Sequence, residues 1–219
     1  QTLSPHNMTM TVTGGCLLWV GWLGFCGGCV LAANGFAMLV MVNTMLASCA
    51  GALAWMLAEW QYRGKPSMFG AVSGAIAGLV AVTPACGFVG PMGAIGLGLI
   101  AAPICVWAVD RLKPLIGLDD AFDVFGVHGV AGIVGGLLTP VFAMSVLGGQ
   151  GFAAGRGLLE QLAVNGGAML FSILYSALSS WLAFKLAALL CGGLRVDEEH
   201  EVYGLDLSSH GEVGYKYAN

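Results

Sequence analysis

The sequence predicts an all-α fold, a polytopic bundle of transmembrane helices with about six spans. Hydrophobic residues make up 58% of the chain and charged residues only 9%, whereas soluble domains carry roughly 25% charged residues. The charged residues are also clustered, so they leave charge-free tracts at residues 1–58, 66–109, 124–155 and 161–184. Each tract can hold one or two helices of about 20 residues, the length that crosses ~30 Å of hydrocarbon.

Turn residues divide these tracts into single helices. Ala33-Asn34-Gly35 separates two helices in the first tract, and a segment that contains Pro84 and Pro91 separates two in the second. We therefore predict transmembrane helices at residues 8–30, 35–60, 68–82, 93–109, 124–144 and 161–190.

The basic residues favour one orientation in the membrane, because Lys and Arg collect in cytoplasmic loops. Seven of the eight lie near the ends of the second, fourth and sixth helices or in the tail, and only Arg156 falls on the other side. An even number of spans then predicts a cytoplasmic N-terminus and C-terminal tail. The chain begins with neither Met nor a basic stretch, so we expect it to start within a loop, without a signal peptide.

Glycine spacing predicts close helix packing and a groove. The third helix has the small-xxx-small pattern Gly70, Gly74 and Gly78, which lets helix backbones approach closely in lipid. Glycine recurs at every third position in two other helices, with Gly21, Gly24 and Gly27 in the first and Gly126, Gly129, Gly132 and Gly135 in the fifth. We expect such rows to leave a groove beside the large side chains of the same helices, which are Trp22, Phe25 and His128.

His128 is the main candidate for chemistry, because an ionisable group inside the membrane is a functional hypothesis by default. It lies about 6 Å along the helix axis from Val124, and we expect Asp120 to cap this helix and Asp123 to lie in its first turn. One interpretation is a neutral imidazole that hydrogen-bonds across a helix interface. The other is a pore histidine with one donor and one acceptor, and the glycine row favours it.

Cysteine usage points away from a disulfide framework, since the seven Cys are scattered through apolar segments. Cys26 and Cys29 match the C-x-x-C motif of redox and metal sites, but no second pair follows at zinc-site spacing. We therefore favour packing roles for them and expect no cofactor and no metal. The formal net charge is −4, and the absence of a basic patch argues against a nucleic-acid partner.

The stretch Asp-Asp-Ala-Phe-Asp-Val-Phe-Gly-Val-His-Gly-Val at residues 119–130 closely resembles the signature of the ammonium transporter (Amt/Mep/Rh) family. Further similar segments follow in order along the chain, at residues 5–7, 21–25, 59–67, 74–80, 82–87 and 204–212. The resemblance implies part of an eleven-span fold with two inverted repeats, assembled as a homotrimer in the plasma membrane. Residues 1–194 resemble the second repeat and the last helix, and residues 195–219 resemble the cytoplasmic tail.

The same resemblance implies roles for single residues. It matches His128 to the second pore histidine, Phe25 to a phenylalanine of the outer gate and Trp22 to a pore-proximal position. Cys29 stands where many members have Ser at an outer ammonium site, and Cys26 where Asn is usual, so both are departures. On this basis the substrate pathway includes His128, Phe25, Trp22, Cys29 and Thr83, and the structural residues near the pore include Asp120, Asp123, Gly126 and Gly129.

The function implied is transport of ammonium or ammonia across a lipid bilayer, with no enzymatic activity. The resemblance also implies a cytoplasmic PII-type regulatory protein as a partner of the tail. Two alternatives stay open at this point: an ammonium sensor or signalling receptor on the same scaffold, and a partial chain that is inactive alone. Transport by an intact protein would argue against the sensor, and a matching upstream segment with its own His would argue against the inactive chain.

Overall fold

The computed structural model describes residues 6–214, which are helical and contain no strand. Two residues of the sequence analysis lie outside this range. They are Pro5, in the first segment that resembles the family, and Lys216, one of the basic residues that favour the orientation. The helices are α1 (Met8–Gly28), α2 (Gly35–Arg63), α3 (Met68–Val82), α4 (Pro91–Trp107), α5 (Lys113–Leu115), α6 (Val130–Phe142), α7 (Leu158–Cys191) and α8 (Glu198–Tyr203). One π-helical turn, Ala108–Leu112, joins α4 to α5, and another, Phe125–Gly129, leads directly into α6.

All six predicted apolar helices are present in residues 6–214, and five of them are long enough to span a membrane. The exception is α3, which has 15 residues. The chain turns back after α3 through a largely buried segment, where the Asn43 amide of α2 donates to the carbonyl groups of Cys86 and Val89, both at 2.9 Å. Irregular backbone at membrane depth is tolerated when protein surrounds it in this way.

The small-xxx-small pattern of α3 allows the backbones of α2 and α3 to touch, as predicted. A Cβ atom on Gly74 would lie 2.5 Å from the Gly51 carbonyl oxygen, and one on Gly78 would lie 2.2 Å from the Ala47 carbonyl oxygen. Gly70 has a different role, since its Cβ would meet the Glu59 carboxylate at 2.3 Å. Gly70 therefore makes room for a buried acidic side chain.

The predicted groove exists beside the first helix but not along the fifth. Gly21 and Gly24 of α1 face open space. By contrast, a Cβ on Gly135 would lie 2.1 Å from the Ala81 carbonyl oxygen, and one on Gly126 would lie 2.6 Å from the Val109 side chain. The expectation of a groove along the fifth helix was wrong, because Gly135 allows close packing against α3 and Gly126 allows it against the π-helical turn that follows α4.

The chain divides into two compact units, Gln1–Met169 and Leu170–Asn219. The core of the first unit combines small residues of α2, α3, α4 and α6 with larger ones such as Leu79 and Leu97, which are fully buried. In the second unit, the rings of Phe171 and Tyr175 stack at 6.0 Å, and Arg195 pairs with Glu201 at 2.7 Å. The functional boundary at residues 194 and 195 stays a prediction.

A buried carboxylate joins the end of α2 to the start of α3. Glu59 is only 3% exposed, and it accepts hydrogen bonds from the Ser67 amide at 2.8 Å and the Ser67 hydroxyl at 2.9 Å. Arg63 pairs with Glu59 at 3.3 Å and also with Asp110 beyond α4. Because the Ser67 hydroxyl also accepts from the Gly70 amide at 2.8 Å, the network fixes the N-terminus of α3.

We expect Glu59→Ala to destabilise the protein by about 3 kcal/mol, because the half-buried Ser67 donors lose their acceptor and Arg63 loses its buried partner. Glu198→Ala removes an exposed carboxylate of the tail, and its effect should stay within about 0.5 kcal/mol. Thermal unfolding of the two variants in detergent measures the difference in their stability. Equal unfolding curves for both variants would contradict the stabilising role of Glu59.

Candidate functional site

The site begins with a hydrogen bond between α1 and the end of α3. The Trp22 indole Nε1–H donates to the Thr83 hydroxyl oxygen at 2.8 Å. Thr83 is the C-cap residue of α3, and its own hydroxyl donates to the Leu79 carbonyl at 2.7 Å. Since the Thr83 proton is used within the helix, its oxygen is oriented to accept from Trp22, and this pair fixes the plane of the indole.

The indole in turn contacts two other predicted site residues. Its ring stacks on the His128 imidazole with centroids 6.3 Å apart and planes 27° apart. Phe25 meets it edge-on, with centroids 6.4 Å apart. An apolar cavity of about 550 Å³ lies along the exposed side of α1 and is lined by Gly14, Leu17, Leu18, Gly21, Trp22 and Phe25. The fold therefore gathers Trp22, Phe25, Thr83 and His128 from three parts of the chain.

His128 is held in the π-helical turn that precedes α6. Both carboxylate oxygens of Asp120 cap this segment, one accepting from the Val124 amide at 2.9 Å and the other from the Phe125 amide at 2.8 Å. Asp120 thus caps the segment with its side chain, as predicted, although the N-cap position itself is occupied by Val124. Single π-helical turns are rare in proteins, and those that occur often lie at functional sites. This one contains the candidate histidine, whose side chain is exposed in this chain.

Asp123 has another role than the sequence suggests. It does not lie in the first helical turn but just before it, in the left-handed conformation with φ of 57°. Its carboxylate pairs with Lys113 of α5, and the Lys113 ammonium also donates to the Asp120 carbonyl at 3.1 Å. The physical reason is that an ion pair with a nearby ammonium replaces the interaction with the helix end. Asp123 thus ties the segment before His128 to α5.

The remaining predicted residues lie at the edge of the site or support it. Cys29 is the C-cap residue of α1, and its thiol is exposed rather than part of the aromatic group. A Cβ on Gly129 would lie 3.1 Å from the Phe125 ring, so this glycine accommodates the ring within the π-helical turn. Gly126 packs on the π-helical turn that follows α4. Gly126 and Gly129 together determine how closely the His128 segment approaches its neighbours.

Sequence reasoning missed the polar residues behind Trp22. Asn43 and Thr44 of α2 are fully buried, and Cys86 is buried in the turn after α3, where its thiol donates to the Thr83 carbonyl at 3.4 Å. The available signal was an Asn in the middle of an otherwise apolar helix, since a buried amide requires partners. Asn43 and Cys86 hold the turn that carries Thr83, whereas the Thr44 hydroxyl donates to the Val40 carbonyl of its own helix.

The arrangement offers aromatic faces, an apolar wall and one imidazole with a donor and an acceptor. Within residues 6–214 no three His, Cys, Asp or Glu side chains lie together as a metal site would need. Aromatic faces attract cations, and a neutral imidazole can hydrogen-bond a small polar solute in a dry environment. The site is therefore suited to binding and passing a small cation or its neutral conjugate base.

We expect Thr83→Val to lower solute passage about tenfold, since losing one half-buried hydrogen bond costs about 1–1.5 kcal/mol. The substitution is nearly isosteric, but it removes the acceptor of the Trp22 indole and loosens the ring that stacks on His128. Thr83→Ser keeps the hydroxyl and should behave like the unchanged protein. Radiolabelled solute uptake by both variants at matched membrane levels measures the effect, and equal uptake by both would exclude this role.

Comparison with known proteins gives a consistent result. A family model described as the Ammonium Transporter Family matches residues 1–215. An ammonium transporter of Bacillus subtilis is 42% identical, over 97% of this chain and 53% of the relative. One of Aquifex aeolicus is 45% identical, over 98% of this chain and 50% of the relative. The solved structure of a sensor Amt protein matches with a TM-score of 0.84 at 27% identity, over 93% of this chain and 49% of the other. The chain thus spans about half the length of the curated relatives it matches.

Proposed function

This chain belongs to the ammonium transporter family and is part of a multi-pass membrane protein, and from that premise we propose that the protein transports ammonium or ammonia along a path lined by Trp22, Phe25 and His128. The observation that carries the proposal is the stack of Trp22 on His128 beside an apolar cavity. It sets an aromatic face, an apolar wall and a hydrogen-bonding imidazole next to one another.

The proposed mechanism follows from the cost of moving an ion through an apolar passage. The aromatic faces of Phe25 and Trp22 attract ammonium by cation–π interaction. Carrying the intact ion past the apolar wall is costly, and loss of its proton removes most of that cost. Neutral ammonia then hydrogen-bonds to the His128 imidazole, which has one donor and one acceptor when neutral. The mechanism requires neither a catalytic residue nor a cofactor, so we assign the protein no enzymatic role.

We propose that a second unit of the same fold completes the passage. Phe25 is 59% exposed, His128 is exposed as well, and the cavity along α1 is open on one side. The chain matches about half the length of its curated relatives, so residues of the other half would cover this open face. A chain that is inactive alone is then the expected behaviour of residues 1–219 without that half.

We further propose an orientation and an assembly for the protein. Both ends of this chain lie in the cytoplasm, as the distribution of Lys and Arg favours, and the membrane is the plasma membrane, as the resemblance to the family implies. Three copies form a homotrimer with one path each. Residues 195–219 act as a cytoplasmic tail, whose acidic segment 197–201 is exposed where the structure describes it, and they interact with a PII-type regulatory protein.

An ammonium sensor is the second candidate function, favoured by the likeness to a sensor Amt protein. Methylammonium uptake in cells that lack other ammonium transporters separates the candidates. We expect uptake with the full-length protein and none with residues 1–219 alone at equal membrane levels. A full-length protein that is inserted correctly yet takes up nothing at any concentration would overturn transport and leave the sensor.

A further inference from the structure

Two buried cysteines lie directly behind the Trp22–Thr83 contact. Cys26 of α1 is 3% exposed and Cys86, in the turn after α3, is 8% exposed. Both belong to one buried cluster on which Trp22 also packs. Cys26 lies one helical turn after Trp22, and Cys86 lies three residues after Thr83, the two residues that hydrogen-bond at 2.8 Å. We infer that Cys26 and Cys86 form a site of reversible oxidation, in which a peroxide converts the two thiols to a disulfide that reduces passage through the proposed path.

The structure separates this pair from the C-x-x-C motif in the sequence. Cys29, the motif's second cysteine, is exposed at the end of α1, whereas Cys26 is buried in the same cluster as Cys86, a cysteine of another element. In the family that the sequence resembles, Asn is usual at the position of Cys26, so the cysteine pair is a feature of this chain and not of the fold.

The chemistry balances with hydrogen peroxide as the oxidant. The Cys26 sulfur attacks one peroxide oxygen, the O–O bond breaks, and the thiol proton leaves in the first water, which gives a sulfenic acid. The Cys86 sulfur then attacks the Cys26 sulfur, the S–O bond breaks, and the hydroxyl group leaves with the Cys86 proton as the second water. The two sulfurs are oxidised and the peroxide is reduced. Trp22 lines the apolar cavity as well as the cluster, which gives a small neutral oxidant a short route to the pair.

The disulfide would act on the same two elements that the Trp22–Thr83 hydrogen bond joins. A disulfide requires a sulfur–sulfur distance of about 2.05 Å, much shorter than a contact between two thiols. Forming it draws α1 towards the turn after α3, which the Asn43 amide holds by its hydrogen bonds to Cys86 and Val89. Because Thr83 lies in that turn and Trp22 in α1, the bond displaces the indole relative to His128.

The test uses the full-length protein in membrane vesicles exposed to hydrogen peroxide. Free thiols are then alkylated, and the digested protein is examined by mass spectrometry. We expect a linked peptide pair that joins Cys26 to Cys86 and is lighter by two hydrogen atoms. Cys26→Ser and Cys86→Ser should lack it, whereas Cys49→Ser, which removes an exposed cysteine of α2, should form it. No such link while Cys29 is oxidised, or a link from Cys26 to Cys29 instead, would overturn the inference.

The effect on passage rests on the proposed function and is measured separately. Methylammonium uptake should fall by up to about 100-fold after peroxide, since a shift of about 1 Å in a positioned group can cost that much, and dithiothreitol should restore it. Both serine variants should keep their uptake after peroxide. An equal loss in those variants would overturn the regulatory role. If transport itself is absent, the linked peptide still forms, so failure of the proposed function is distinguishable from failure of the oxidation site.

Discussion

His128→Ala is expected to lower methylammonium uptake by the full-length protein roughly 10–100-fold. The imidazole is the titratable group in the aromatic cluster, stacked on Trp22 at 6.3 Å. Without it, a neutral solute beside the apolar wall loses a hydrogen-bond partner, which costs about 1–3 kcal/mol, and each ~1.4 kcal/mol corresponds to a factor of ten in rate. The fold should survive, because His128 is exposed in this chain and Asp120 caps its helix independently.

His200→Ala is the matched control for this substitution. His200 lies in α8 of the tail and is exposed, so its loss should leave uptake unchanged. Membrane levels of the two variants must be equal before their rates are compared. Unchanged uptake by the His128 variant would mean that the imidazole takes no part in passage and would favour a structural hydrogen bond across the helix interface.

Gly78→Ala is expected to destabilise the helix bundle by about 3 kcal/mol, which is large for a single added methyl group. The new Cβ would lie 2.2 Å from the Ala47 carbonyl oxygen and 3.0 Å from the Ser48 Cα atom. Both are backbone atoms, so α2 and α3 have to separate, and overpacking of this kind costs about 1–3 kcal/mol. The separation also disturbs α4, because Gly98 packs against the same Ala47 carbonyl oxygen.

The control is Gly167→Ala in α7, where an added Cβ meets nothing within 4 Å in this chain. Replacing a helical Gly by Ala at an uncrowded position stabilises a helix by up to about 1 kcal/mol. Thermal unfolding of both full-length variants in detergent should therefore shift in opposite directions. If the Gly78 variant unfolded at the same temperature as the unchanged protein, this result would contradict the claim that close packing of α2 on α3 at Gly78 stabilises the bundle.

The sequence predicted the helices well because their signals are local. Long apolar tracts give the spans, and Asn7, Asn34 and Ser67 cap α1, α2 and α3. The third helix was predicted at its observed bounds, residues 68–82, since a capping Ser precedes it and Pro84 follows it. Its small-xxx-small glycines also predicted close helix packing, although not that the partner is α2 or that Glu59 is buried beside Gly70.

The rest depends on contacts between residues far apart in the chain. The glycine row of the fifth helix has the same spacing as that of the first, yet Gly135 packs against the backbone of α3, whereas Gly21 and Gly24 of the first row face open space. Nothing local distinguishes the two. Likewise, the position of Asp123 before the helix follows from its pairing with Lys113, and the inward direction of Cys26 follows from the buried turn that carries Cys86.

Purified full-length protein in sealed liposomes tests the central claim most directly, namely that His128 lines a path for ammonium or ammonia. Rapid mixing with an ammonium salt, with internal pH recorded inside the liposomes, measures entry without other cellular proteins. We predict entry well above that of empty liposomes, a decrease of roughly 10–100-fold for His128→Ala, and no change for His200→Ala. Entry equal to that of empty liposomes, with the protein inserted and folded, would contradict the claim.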